Sequence, residues 1–193
     1  MRELKKIIIG SRSSKLSVIQ SDIIRDLILI CNYDYRDNSS FIQMRSFTTK
    51  ADIVIDKLLS EIGGKGLFTK EIEESLLDNS VDIAVHSMKD MATICHDNLS
   101  IVSVPVREDA RDVFISNKYS SLEELPKNAI IGTSSLRRKS IILQKRSDLK
   151  IVNFRGNVLT RLLKLDRGEV DATILSYAGI KRLGLEARVS QIF

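Results

Sequence analysis

The stretch Ile7–Ser14, IIIGSRSS, places an apolar strand, a glycine and a serine-rich turn directly before a run with helical spacing. The same order returns at Ala129–Ser135, AIIGTSS, which also precedes a helical pattern. A strand that leads through such a turn into a helix is typical of a parallel α/β unit. A serine at the turn can cap the helix, and Ser13 or Ser14 is the predicted cap of the first one.

A second pair of segments also matches: SVDIAVHS at Ser80–Ser87 and EVDATILS at Glu169–Ser176, each an apolar strand that ends in serine. Two matches in the same order predict an α/β fold of two lobes with mainly parallel sheets. The boundary is expected in the extended segment Leu99–Val106, so that residues 1–100 form lobe one and residues 101–193 form lobe two. Clefts between α/β lobes are common ligand sites, and we expect one here.

Three local patterns add detail to this outline. The three glycines of IGGKG, Ile62–Gly66, predict a flexible turn. Ser121 and Glu124 have the spacing of a capping box, which predicts a helix start. Gly168 is expected to end the helix that follows Asn157.

Composition and charge are typical of an ordinary globular protein. Hydrophobic residues make up 43% of the 193 residues and charged residues 28%, and the net charge is +5. No apolar run reaches the length of a membrane helix, and the apolar part of MRELKKIIIG is too short for a signal peptide. Cys31 and Cys95 lie far apart, which predicts free thiols, a reducing compartment and no metal site. We therefore expect a cytoplasmic location.

Hydroxyl-bearing and basic residues follow almost every predicted strand, where open α/β sheets bind ligands. They are Ser11 to Ser14 with Arg12, Ser87 with Lys89 and Asp90, Thr133 to Ser135 with Arg137 and Arg138, Arg155 to Asn157 with Arg161, and Tyr177 with Lys181 and Arg182. A single arginine of this set is most simply a solvated surface residue. Their recurrence at one edge of the predicted sheets instead indicates an anion site, because arginine binds carboxylates in a planar fork.

Nucleic acid is disfavoured as the anion, since the chain has no Trp and only 5% aromatic residues to stack bases. No glycine pattern typical of nucleotide sites is present either. The expected ligand is small and polyanionic, with several carboxylates or phosphates, and carboxylates are favoured over a nucleotide. Asp90 would repel such a ligand unless the ligand also carries or develops positive charge. A carboxylate in this position is typical of a group that stabilises a cationic intermediate or moves a proton. The alternative is a surface ion pair between Asp90 and Lys89.

Five motifs resemble those of one enzyme family, in order and spacing, over nearly the whole chain: GGKGLFTKEIE at Gly63–Glu73, HSMKD at His86–Asp90, REDARDVFIS at Arg107–Ser116, GTSSLRR at Gly132–Arg138 and RGNVLTRLLKLDRGEVDATILSYAGIKRLGL at Arg155–Leu185. The family is that of the porphobilinogen deaminases, also called hydroxymethylbilane synthases. The resemblance implies lobes like those of type II periplasmic binding proteins, with the ligand in a cleft between them.

The resemblance implies a transferase that joins four porphobilinogen units head to tail into hydroxymethylbilane with loss of ammonia, in tetrapyrrole and haem biosynthesis. Asp90 would be the catalytic carboxylate, with His86 packed behind it rather than acting as a base. The acetate and propionate arms of the substrate would be bound by Arg12, Arg155 and Arg161. Contacts to the dipyrromethane cofactor and the growing chain would come from Ser14, Lys65, Ser87, Lys89, Thr133, Ser135, Arg137, Arg138, Gly156 and Arg182.

The chain departs from the family pattern at Lys15, at Lys50-Ala51 and at Met91-Ala92, where we expect tuning rather than loss of function. Family members also continue into a third domain that holds the cysteine bonded to the cofactor. We expect no covalent dipyrromethane on Cys31 or Cys95, a first lobe that lacks its return strand, and no tetrapyrrole synthesis by these residues alone. An intact enzyme is expected to be a monomer without nucleic-acid or membrane partners. The competing hypothesis is a non-enzymatic two-lobed protein that binds a small polycarboxylate.

Overall fold

A computed structural model describes residues 5–36, 38–49 and 68–193. The chain divides into two compact units, Met1–Val104 (unit 1) and Pro105–Phe193 (unit 2). In the described ranges no helix combines the length and apolar character needed to cross a membrane. The predicted flexible turn at Ile62–Gly66 lies outside the described residues.

The described residues of unit 1 form a three-stranded sheet with strand order β2-β1-β3, in which both pairings are parallel. Its elements in chain order are β1 (Ile7–Arg12), α1 (Lys15–Cys31), α2 (Tyr33–Arg36), a 3-10 turn (Ser39–Phe41), β2 (Ile42–Phe47), α3 (Lys70–Leu77), β3 (Ile83–Ala84) and a second 3-10 turn (Met88–Asp90). The strands and the long first helix follow the predicted order.

Unit 2 is built on a five-stranded sheet with strand order β6-β5-β7-β4-β8. Its elements are β4 (Asp112–Ile115), β5 (Ile130–Gly132), α4 (Leu136–Lys145), β6 (Lys150–Val152), α5 (Val158–Asp166), β7 (Ala172–Ser176), α6 (Tyr177–Arg182), a 3-10 turn (Glu186–Arg188) and β8 (Gln191–Ile192). The strands β6, β5 and β7 run parallel, whereas β4 runs antiparallel to both β7 and β8.

The core of unit 2 lies on both faces of its sheet, because successive strand residues point to opposite sides. Phe114 packs on one face with Ile142 of α4. Its neighbours Val113 and Ile115 pack on the other face with buried residues of α5 and α6. Helices therefore cover both faces, as expected for a sheet with parallel strands at its centre.

The repeated Val-Asp motif makes the same hydrogen bonds in both units. In unit 1, the Asp82 carboxylate accepts from the backbone N–H of Ile8 at 2.8 Å, and the Asp82 N–H donates to the Ile8 carbonyl at 2.9 Å. In unit 2, Asp171 makes the same two bonds with Ile130, at 2.8 and 2.9 Å. Each aspartate thus ties the start of its strand to a neighbouring strand, which gives the sequence repeat a physical cause.

The glycines of the two repeated strand ends are required by close packing. A Cβ at Gly132 would lie 2.5 Å from the ring of Phe154, and a Cβ at Gly10 would lie 2.9 Å from a methyl group of Val81. Neither neighbour could stay in place against a methyl group at that distance. In each of the two strands, a buried side chain thus packs directly against the backbone of the glycine.

Two of the local predictions are confirmed and one is wrong. Ser14 caps α1, and Gly168 adopts a positive φ of 76° just after α5. No helix follows Ser121, although residues 117–129 are all described. The Ser121 hydroxyl does accept from the Glu124 N–H at 3.4 Å, as in a capping box. The carboxylate of Glu124, however, accepts from the N–H and hydroxyl of Ser120, at 3.0 and 2.7 Å, and Pro126 disfavours helical backbone just before it.

Candidate functional site

Arg12 ends β1, at the strand end where ligand contacts were predicted. Its guanidinium carbon lies 4.4 Å from the ring centre of Phe68, which is a favourable cation–π distance. The side chain is half-buried. The aromatic ring thus supports a planar cation at the carboxyl edge of the unit 1 sheet.

Ser14 caps α1, and its hydroxyl forms hydrogen bonds with the first turn of that helix. The Ser14 oxygen accepts from the backbone N–H of Ser17 at 3.3 Å and shares a hydrogen bond with the Ser17 hydroxyl at 2.8 Å. Its proposed contact with a ligand stays a prediction.

The segment that carries Asp90 is a turn rather than the end of a long strand. The strand expected over the whole of Val81–Ser87 is shorter, since β3 covers only Ile83–Ala84. A 3-10 turn follows, closed by the Asp90 N–H, which donates to the Ser87 carbonyl at 2.9 Å. Lys89 is exposed and Asp90 half-buried, and no ion pair joins them in the described part of the chain. The surface ion-pair alternative is therefore not what the structure shows.

His86 lies among the charged groups of unit 1. Burial lowers the pKa of His86 more than the carboxylates of Glu73 and Asp90 raise it, and the Arg12 cation lowers it further. Its buried Nε2 atom has no hydrogen-bond partner among the described residues. The structure thus brings Arg12 and Asp90 within electrostatic reach of one neutral imidazole.

Thr133 and Ser135 shape the turn between β5 and α4. The buried Thr133 hydroxyl accepts from the Ser135 N–H at 3.2 Å, and the Ser135 hydroxyl caps α4 by accepting from the Arg138 N–H at 3.4 Å. Both predicted ligand contacts therefore also have a structural role.

Arg137 and Arg138 share one carboxylate, that of Asp112 at the start of β4. Arg137 reaches it at 2.6 Å and Arg138 at 2.8 Å, and Arg138 also donates to the Ile174 carbonyl at 3.1 Å. The Arg138 side chain is 15% exposed and the Arg137 side chain 60%. Burial raises the pKa of Asp112, but the hydrogen bonds and charges of Arg138 and Arg137 lower it more.

Arg161 is a half-buried cation in the first turn of α5. Its Nε donates to the Gly156 carbonyl at 2.7 Å, and Gly156 has a φ of +119°, which glycine adopts without strain. Burial, followed by repulsion from Arg138, lowers the pKa of Arg161 to about 10. No carboxylate forms an ion pair with Arg161 in the described ranges of the chain.

The two remaining arginines of the predicted site lie in the same unit. Arg155 follows β6 and Arg182 ends α6, and both are half-buried. The neighbouring Lys181 pairs with Glu108 at 2.7 Å, and the Arg182 charge also acts on Glu108 by lowering its pKa. Arg182 and Lys181 thus lie beside an acidic residue, Glu108, that was not predicted to take part.

A cavity of about 260 Å³ lies beside the Asp112 pair. Arg137, Arg138 and Lys145 contribute its basic groups, and Ile141 and Phe193 are among its apolar walls. Its lining thus combines basic groups with apolar walls, directly next to the predicted cofactor arginines.

The other predicted site features are placed as follows. Lys65 lies outside the described residues. Cys31, the last residue of α1, is exposed, and Cys95 is half-buried; both are free thiols. Within the described ranges, no cluster of acidic, histidine or cysteine side chains could hold a metal ion.

Sequence reasoning missed Asp112 and Gln20 as members of the site. Asp112 stands in the quoted motif REDARDVFIS, where an acidic residue at the start of a strand was the available signal. Gln20 lies within the first helix and bonds to Ser87 across 67 residues, and nothing in the local pattern indicates this.

Comparison with solved structures shows the fold class. An ABC-transporter periplasmic substrate-binding protein from Coxiella burnetii matches with a TM-score of 0.52 at 16% identity, covering 96% of this chain and 78% of the other. A nutrient-binding protein from Burkholderia cenocepacia matches with a TM-score of 0.50 at 14% identity, covering 96% and 78%. The predicted class, α/β units like those of type II periplasmic binding proteins, is confirmed.

Sequence comparison shows the family. Residues 7–193 match the porphobilinogen deaminase family model for the dipyrromethane cofactor binding domain. Porphobilinogen deaminases of Francisella philomiragia and Campylobacter fetus are 47% and 48% identical, over 97% and 94% of this chain. The chain therefore belongs to the porphobilinogen deaminase family. It spans 61% and 57% of the length of these two relatives.

Proposed function

We propose that this chain is the dipyrromethane-binding part of a porphobilinogen deaminase. Such an enzyme joins four porphobilinogen units head to tail into hydroxymethylbilane and releases ammonia. The observation that carries the proposal is the family match over residues 7–193, together with relatives of that name. In this role the intact protein is a cytoplasmic monomer with no nucleic-acid or membrane partner.

The arginine side chains of the predicted site fit a ligand with several carboxylates. Arg161 is a half-buried guanidinium with no carboxylate counter-ion in the described part of the chain, and a partly desolvated charge of this kind is costly unless a ligand supplies the opposite charge. Arg137 is tied to Asp112 through one terminal nitrogen, so most of its guanidinium stays available. Both features favour a polyanionic ligand.

The residue roles of the proposal follow the family pattern. The acetate and propionate arms of the substrate bind Arg12, Arg155 and Arg161. The dipyrromethane and the growing chain contact Ser14, Lys65, Ser87, Lys89, Thr133, Ser135, Arg137, Arg138, Gly156 and Arg182. When bound, the dipyrromethane supplies the pyrrole to which the first substrate unit is added.

Asp90 is the catalytic residue of the proposal. Its half-buried carboxylate accepts hydrogen bonds from pyrrole N–H groups and stabilises the positive charge that develops as ammonia leaves the substrate. A preformed negative charge in a partly water-excluded place stabilises such a cation more than water does. His86 beside it is held neutral by burial, so that it does not oppose this charge.

The test is the Asp90→Asn variant of the full-length protein that contains this chain. Because Asn keeps the size and removes the charge, we expect porphobilinogen consumption to fall by at least ~10²-fold, with little change in KM. Asp97→Asn, at an exposed position in the same region, is the matched control and should retain turnover. Turnover near that of the control in Asp90→Asn would refute the catalytic role.

A further inference from the structure

The turn that carries Lys89 and Asp90 has few local bonds to hold it. The 3-10 turn Met88–Asp90 is three residues long, and its backbone bonds are those of the Asp90 N–H to Ser87 at 2.9 Å and of the Met91 N–H to Met88 at 3.2 Å. So short a turn has little stability of its own. Its position must therefore be fixed by contacts with other elements.

Gln20 of α1 makes a reciprocal pair of hydrogen bonds with Ser87, the residue before the turn. The Gln20 amide nitrogen donates to the Ser87 hydroxyl at 3.1 Å, and that hydroxyl donates to the Gln20 amide oxygen at 3.2 Å. Both side chains are half-buried. In this pair the Ser87 hydroxyl both donates and accepts a hydrogen bond, which fixes the orientation of the hydroxyl.

We propose that Gln20 is a positioning residue of the unit 1 site, which fixes the Asp90 turn relative to Arg12 through its paired hydrogen bonds to Ser87. The inference rests on the proposed function. The helix that carries Gln20 begins at the Ser14 cap, directly after Arg12 ends β1. Gln20 and Arg12 therefore lie on two consecutive elements that pack against each other, α1 and β1, and Ser87 is the point at which the Asp90 turn is attached to α1.

His86 offers a direct readout of the turn, because its imidazole lies in the field of Asp90. The charged groups that act on it are Glu73 of α3, Arg12 at the end of β1, and Asp90. The chain has two histidines, and His96 is exposed, so its NMR signal is an internal control.

The experiment measures the pKa of His86 by NMR titration. The drop in this pKa that Asp90→Asn causes is measured twice: once in the otherwise unchanged chain, and once in a chain that also carries Gln20→Met. Loss of the Asp90 charge removes a favourable interaction with the imidazolium, so the pKa falls. With Gln20→Met, which removes both hydrogen bonds at nearly constant size, the fall should shrink by about half or more, because the interaction weakens with distance. An equal fall in both backgrounds overturns the proposal.

Two further variants complete the test. Gln43→Met makes the same change at an exposed position of β2 and should leave the full fall. Ser87→Ala removes the same bonds from the other side and should reproduce Gln20→Met, and it carries the test if Gln20→Met does not fold. Failure of both variants to fold would assign the pair a purely structural role and overturn the proposal.

Porphobilinogen binding, measured by calorimetry on the same chains, separates this inference from the proposed function. A roughly tenfold weaker affinity in Gln20→Met, with unchanged thermal stability, supports the positioning role. An absence of binding in the unchanged chain contradicts the proposed function, whereas the His86 measurement still decides whether Gln20 fixes the turn.

Discussion

Asp112 and Arg138 join the first residue of β4 to the first turn of α4, with 2.8 Å between carboxylate oxygen and guanidinium nitrogen. Their side chains are 13% and 15% exposed, so water screens the pair little. The arrangement explains how α4 carries two adjacent arginines near its N-terminus, where the helix dipole disfavours positive charge. Asp112 supplies the negative charge that the helix end requires.

We expect Asp112→Asn to lower the free energy of unfolding by about 2 kcal/mol, because it leaves a largely buried guanidinium without its counter-ion. The folded-state pKa of Asp112 lies below its ordinary value of 3.8, so its contribution is fully present above that value and is lost as the pH falls through the folded pKa. Urea unfolding at pH 7 and at pH 3 measures both effects.

The matched control for Asp112 is Asp109→Asn. Asp109 pairs with Arg111 at 2.6 Å, but the Arg111 side chain is 55% exposed, and exposed pairs contribute little. Its removal should leave stability at pH 7 nearly unchanged. Equal losses for the two variants would contradict the assignment of Asp112 as the counter-ion of the helix end.

Replacing Arg137 and replacing Arg138 should have different effects, although the two arginines are adjacent and the sequence predicted the same role for both. Arg138 has its guanidinium engaged by Asp112 and the Ile174 carbonyl, so Arg138→Ala should mainly reduce stability. Arg137 is 60% exposed, so Arg137→Ala should mainly weaken porphobilinogen or dipyrromethane binding, by roughly tenfold. Thermal unfolding and calorimetric titration separate the two effects, and the reverse assignment would refute this division.

Arg161 should show opposite effects on stability and on binding. Burial has already lowered its pKa to about 10, so its charged form is costly in the folded chain. Arg161→Met should raise the free energy of unfolding by about 1 kcal/mol and weaken binding of a carboxylated ligand at least tenfold. Arg167→Met, at an exposed position just after α5, is the control and should change neither. A destabilised Arg161→Met with normal binding would show that this arginine is structural.

The sequence predicted the fold where local pattern and packing agree. The two strand–glycine–helix repeats, the Ser14 cap and the Gly168 helix end need only neighbouring residues, and all of them form as predicted. The helix expected after Ser121 fails because Glu124 bonds to Ser120 and Pro126 follows. In that segment the spacing of Ser121 and Glu124 is found in a turn, and the spacing alone is not enough to predict a helix.

The contacts between distant residues could not be predicted in the same way. The pairs Asp112–Arg138 and Gln20–Ser87 are separated by 26 and 67 residues, and each depends on how strands and helices come together. A pattern of residue types shows which groups reach a strand end. It does not show which of them already bond to each other, as Arg138 does more extensively than Arg137 through Asp112 and the Ile174 carbonyl.

The cysteines give the last prediction: neither Cys31 nor Cys95 carries a covalent dipyrromethane. A sulfur that anchors the cofactor must lie beside the cations that bind its carboxylates. Cys31 ends the 17-residue helix that begins after Arg12, which places it about 24 Å from that arginine at 1.5 Å per residue. Cys95 lies in an irregular segment and is no part of the described hydrogen-bond network around Arg12 and Asp90.

Intact mass followed by peptide mapping of the 193-residue chain, produced in cells that make porphobilinogen, checks this prediction. The expected mass is that of the bare polypeptide, and the Cys31→Ser/Cys95→Ser double variant should bind added dipyrromethane as well as the unchanged chain does. A dipyrrole mass mapped to either cysteine would contradict the prediction directly. Weaker binding by the double variant would do so as well, because serine keeps the size of each side chain and removes only the thiol that could form the bond.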